Sequence, residues 1–136
     1  MARKLLILPS IFFFAWLGIM ALLYPAGLLG GYGITVPGID GFNEIRAVYG
    51  GIPLGFAAIL SAGLIRPRLR SGICLTVAAA AFGMAAGRIL SAAIDQSLGT
   101  YPLIFMLVEM TVGATLIAAI FPRKSEMAAE IRIGAA

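Results

Sequence analysis

Histidine is absent from the 136-residue chain, and Cys74 is its sole cysteine. Those gaps exclude an internal disulfide, a histidine-ligated zinc or haem site, a histidine-based triad and a histidine proton switch. Charge is scarce too: Asp, Glu, Lys and Arg make up 12% of residues, about half of what a soluble domain carries. Apolar residues make up 61% and the mean hydropathy is +1.03, so the chain cannot clothe itself in a polar surface. A formal net charge of +4 would ordinarily point to nucleic acid. In so apolar a chain basic residues set membrane topology instead, and no nucleic-acid partner is expected.

What the chain does have is four apolar runs, each long enough to cross a bilayer, for which about 20 residues suffice. The first covers residues 5–29 behind Arg3 and Lys4. It outlasts the apolar core of a signal peptide, and Tyr24-Pro25-Ala26-Gly27 makes a poor cleavage site, so it reads as a retained helix. Pro25 lacks a donor and is expected to end or kink it. From Gly30 to Gly41 the glycines predict an ordered loop with an extended piece near Ile34 to Val36. A second helix follows over 44–65 with Asn43 as its cap. Arg66 to Ser71 reads as a basic turn, 73–95 as the third helix and Gln96 to Thr100 as a polar turn. The fourth helix, 101–121, carries Pro102 in its first turn, where a missing N–H costs little. Residues 123–136 remain as a short cytoplasmic tail. The expected fold is all-α: a single domain over 1–122, a polytopic membrane protein built as a bundle of four transmembrane helices.

Four spans put both ends of the chain on one side. Arg3, Lys4, Arg66, Arg68, Arg70, Arg123, Lys124 and Arg132 would share that side, against Arg46 and Arg88 on the other. This bias of eight to two predicts cytoplasmic N and C termini.

Charges within the spans carry the most information, because each costs about 2.5–3.5 kcal/mol near the bilayer centre and so faces the interior with a partner. At about 1.5 Å per residue, Arg88 lies about 10 Å from the outer end of helix three and Glu109 about 12 Å from that of helix four. The depths match on adjacent antiparallel helices, which predicts an Arg88–Glu109 contact. Ser91 and Asp95 share the Arg88 face of helix three. Arg46, Tyr49, Gly50 and Pro53 share a face of helix two, where Pro53 deprives the Tyr49 carbonyl of its usual helical donor. The expected polar pocket therefore comprises Glu44, Arg46, Tyr49, Arg88, Ser91, Asp95 and Glu109.

Such a cluster either forms a paired network that only fixes helix register or holds the head group of a ligand or partner. Proton conduction is disfavoured, since no polar file continues into the other half of these helices. No catalytic residue, metal ligand or cofactor is expected, and Cys74, near the basic end, reads as a small inert apolar residue. Small residues at four-residue spacing, Ala79, Gly83 and Gly87 on helix three and Gly51 and Gly55 on helix two, predict close helix contacts. Phe12, Phe13, Phe14 and Trp16 make helix one bulky all round, and it is expected at the periphery.

The segment Asn43-Glu44-Ile45-Arg46-Ala47-Val48-Tyr49-Gly50-Gly51 resembles the N-E-x-R-x-x-Y-G-G motif of small bacterial membrane proteins grouped as a domain of unknown function (DUF4345). Gly87-Arg88-Ile89-Leu90-Ser91-Ala92-Ala93-Ile94-Asp95, with a carboxylate further on in helix four, is similar to that family's second signature. The resemblance runs from helix one to Pro122 and implies a four-helix protein of the bacterial inner membrane. One departure stands out: the family usually follows the aspartate with glycine, and this chain has Gln96. The resemblance supports the same seven polar residues and supplies no activity.

Two functions are expected, the first ahead of the second. The first is an accessory subunit that packs on a larger membrane complex or on a second copy of itself, burying its apolar exterior. The second is binding or transport of a small amphiphile, a lipid or isoprenoid, at the polar pocket.

Overall fold

A computed structural model of the chain describes residues 2–36 and 38–121; the expected tail over 123–136 lies outside the described residues. Six α-helices and one π turn account for nearly all of it, with no strand among the described residues. They are α1 (Ala2–Leu23), α2 (Pro25–Gly30), α3 (Gly38–Ile45), the π turn Arg46–Gly51, α4 (Ile52–Ile65), α5 (Pro67–Asp95) and α6 (Thr100–Ile120). Four stretches are long and apolar enough to cross a membrane: Lys4–Leu23, Gly38–Ile65, Pro67–Asp95 and Thr100–Ile120. The second is compound, running through α3, the π turn and α4.

The spans form a closed ring. α1 packs on α4 and α6, and α5 packs on the same two helices from the opposite corner. α1 is therefore not peripheral, contrary to the expectation from its aromatics. Ile7, Ser10, Phe14 and Ala21 are buried along one stripe, while Phe12 and Trp16 remain 73% and 54% exposed on the other side. The bulky residues divide between core and lipid faces according to the helical repeat.

Proline sets the breaks. α1 stops at Leu23, Tyr24 leaves helical geometry (φ −131°, ψ 56°) and Pro25 opens α2. Pro67 likewise opens α5, leaving Arg66 alone between α4 and α5. The basic turn expected over Arg66 to Ser71 is thus a one-residue joint, because proline at the first helical position gives up no hydrogen bond. Helix two also starts earlier than expected: Gly38 takes φ 73°, and α3 then contains Asn43 rather than being capped by it. Pro53 cannot donate to the Tyr49 carbonyl, and the chain widens into the π turn immediately ahead of it.

Packing differs between the two ends of the ring. Toward the α4–α5 joint the small-residue face of α5 (Cys74, Val77, Ala78) lets neighbours close in, and Leu60 and Leu116 complete a close-packed core. Glycine permits close approach at positions other than those expected. A Cβ on Gly18 would lie 2.9 Å from the Gly50 carbonyl oxygen, and one on Gly113 would lie 2.6 Å from the Phe82 ring. Gly55, Gly83 and Gly87 meet nothing within 4 Å, Gly51 only a backbone oxygen at 3.9 Å, and Ala79 is exposed. The small-residue spacing predicted the motif but not the face, because these helices are apolar all round.

Candidate functional site

At the other end of the ring, toward the α5–α6 turn, the bundle holds a partly open cavity of about 470 Å³. Ala81, Met84 and Arg88 line it from α5, Phe105, Glu109 and Val112 from α6. α1 gives Phe13, Phe14 and Leu17, and the second span gives Tyr49, Pro53 and Phe56 among others. The segment after α1 contributes Leu28, Leu29, Tyr32 and Ile34. The floor is the edge-on pair of Phe14 and Phe56, ring centres 5.2 Å apart.

One charged pair stands in this apolar wall. Arg88 Nε donates to Glu109 Oε2 at 2.9 Å, and Arg88 Nη2 donates to Glu109 Oε1 at 2.8 Å. Glu109 is 4% exposed, so its carboxylate depends on the guanidinium for compensation. Phe105, one helical turn before Glu109, lies under the guanidinium at 5.6 Å from its ring centre. Tyr32 packs in turn on Phe105 and Tyr101, at 5.8 and 5.7 Å between ring centres. Burial pushes the Tyr32 phenol above its ordinary value, Arg88 opposes the rise, and Glu109 and Tyr49 add to it. The hydroxyl thus stays protonated at neutral pH and can donate.

Of the seven residues expected in one pocket, the structure brings three to the cavity: Tyr49, Arg88 and Glu109. Arg46 is a correction. Its Nε donates to the Leu22 carbonyl at 3.1 Å and its guanidinium stands 5.9 Å from the Phe42 ring centre. It serves the C-terminal end of α1, where the last carbonyls lack helical donors and the dipole favours a cation. Arg70 does the same for α4, donating to the Gly63 carbonyl at 3.1 Å. Ser91 and Asp95 are also corrected: both are exposed, and Ser91 Oγ donates to Asp95 Oδ2 at 3.2 Å in a local pair on the last turn of α5. Glu44 is exposed on α3 and does not line the cavity.

Sequence reasoning missed the aromatic part of the site. Phe105 was findable, since it stands four residues before Glu109 and must share its face. Tyr32 gave no periodic signal, and Phe14 and Phe56 read only as apolar helix positions.

Fold and site together define the class: a four-span membrane protein whose bundle holds an aromatic-walled cavity beside a bidentate ion pair. The family described as "Domain of unknown function (DUF4345)" has a model that matches residues 1–120, and the chain belongs to that family. No curated protein and no solved structure matches the chain.

Proposed function

We propose that this protein binds a small amphiphile inside its helix bundle. The cavity carries the proposal: about 470 Å³, walled by apolar and aromatic side chains, with polar side chains among the described residues confined to the Arg88–Glu109 pair and the nearby tyrosines. Ligand sites are typically of this size, predominantly apolar, and oriented by a few polar groups. A ring that merely fixed helix register would fill such a volume with side chains, as its other end does.

The setting we propose is the bacterial inner membrane with both termini cytoplasmic. Lys4 opens α1 at the same end of the ring as Arg66, Arg68 and Arg70, and the positive-inside rule favours that end for the cytoplasm. The cavity then lies in the periplasmic half.

An accessory subunit docked on a larger complex is the competing reading, favoured by the exposed Phe12 and Trp16 of α1. Lipid covers such residues equally well, so the cavity weighs more. Ala81, which lines the cavity and is 1% exposed, gives the test. Protein purified from native membranes is extracted with organic solvent, and its lipids are compared with those of the Ala81→Phe variant. One species enriched in the wild type and lost from the filled variant supports binding; identical profiles from two folded proteins contradict it.

A further inference from the structure

We infer that the cavity selects an amphiphile whose polar end is uncharged, a hydroxyl or carbonyl rather than a carboxylate, phosphate or ammonium. This deepens the amphiphile-binding reading above and rests on it. The ground is charge balance on the wall. Among the described residues, Arg88 and Glu109 are the only lining residues that carry charge, and they are bound to each other through both carboxylate oxygens. An anionic head at Arg88 either displaces Glu109, leaving a carboxylate that is 4% exposed without its counter-ion, or joins it on the same guanidinium and leaves the wall with an uncompensated negative charge. A cationic head at Glu109 does the same with the opposite sign. Either way a charge held largely away from water goes unbalanced, which is costly.

Among the described residues no second cation relieves the problem. Arg46, the other arginine on this half of the ring, is held at the Leu22 carbonyl and against Phe42, and does not line the cavity. What the wall offers a ligand is neutral hydrogen bonding. A guanidinium has five N–H donors, and the pair engages one on Nε and one on Nη2, so Nη1 keeps both of its own. The carboxylate oxygens keep further lone pairs, and the phenols of Tyr32 and Tyr49 can donate or accept. A hydroxyl can use donors and acceptors together, and a carbonyl can accept from Nη1; neither disturbs the ion pair.

The test uses the full-length protein in lipid nanodiscs and three probes of equal chain length, each with a diazirine on the chain. They are dodecanol, dodecanoate at a pH that keeps it ionised, and dodecyltrimethylammonium. After photolysis, peptide mass spectrometry locates the labelled residues, and unlabelled dodecanol serves as competitor. The expected result is saturable labelling of cavity-lining peptides by the alcohol, with both charged probes weaker by roughly tenfold or more. In Glu109→Gln, where Arg88 loses its counter-ion, dodecanoate labelling should rise several-fold relative to the alcohol. Labelling of the wild-type cavity by either charged probe as strongly as by the alcohol overturns the inference and leaves amphiphile binding standing. Absence of saturable cavity labelling by all three overturns amphiphile binding itself. The wild-type comparison decides the matter even if Glu109→Gln fails to accumulate.

Discussion

Arg88 on α5 and Glu109 on α6 face each other through two parallel hydrogen bonds of 2.9 and 2.8 Å, at matching depth in the bundle. The pair spans the most extensively packed helix interface of the fold and forms the polar end of its cavity. Removing one partner strands the other: Arg88→Met or Glu109→Met alone should cost about 3 kcal/mol of stability. Restoring neutrality with Arg88→Met/Glu109→Met should recover most of that loss. A double-mutant cycle measured by reversible unfolding in detergent checks both statements, and additive losses would show that the two side chains act independently.

The glycines separate by face. Gly18→Ala should destabilise by about 1–3 kcal/mol, because its new methyl would stand 2.9 Å from the Gly50 carbonyl oxygen and 2.6 Å from Leu54 Cγ. Gly113→Ala should behave alike against Phe82. Gly83→Ala and Gly87→Ala meet open space, and should gain about 0.5–1 kcal/mol from helix propensity. Thermal retention of the monodisperse protein across these four variants distinguishes the sets.

The turn after α5 carries a residue at odds with its backbone. Gln96 adopts φ 49° and ψ 30°, the left-handed cap that glycine occupies at little steric cost. Gln96→Gly should therefore stabilise the protein by up to about 1 kcal/mol, read as a higher melting temperature with unchanged helix content.

How far the sequence reveals this protein depends on whether a property is local. Span number, the proline-set ends and the Arg88–Glu109 contact all follow from hydropathy, the geometry of proline and the rise of a helix. The tasks of Arg46 and Arg70 do not, since each caps a helix whose last carbonyls are placed by tertiary packing. Nor do the tight glycines: a helix that is apolar on every side does not reveal which side meets a neighbour. The cavity was hidden for a further reason. It arises where a π turn, a short helix and four phenylalanines fail to close together, and none of these leaves a periodic trace.

Tyr32 links the cover of the cavity to pH. Its phenol is raised above the ordinary value of 10.0, mainly by burial, so the folded state holds this proton more tightly than the unfolded chain does. The associated stability is complete below that ordinary value and is lost as the pH rises through the folded-state pKa. Tyr32→Phe should remove a late-ionising step from the ultraviolet titration of the protein. A titration whose alkaline end is unchanged by that substitution would contradict the half-buried placement.

Under the proposed function, the cavity between the Phe14–Phe56 floor and the Arg88–Glu109 pair holds an amphiphile in the native membrane. An experimental density map of the full chain, extracted with its own lipids into nanodiscs, tests this most directly. The expected result is continuous elongated density inside the ring, with one end within hydrogen-bond reach of Arg88, Tyr32 or Tyr49 and the ion pair intact. A cavity collapsed by side chains, or filled only by discrete water-sized peaks, would contradict it.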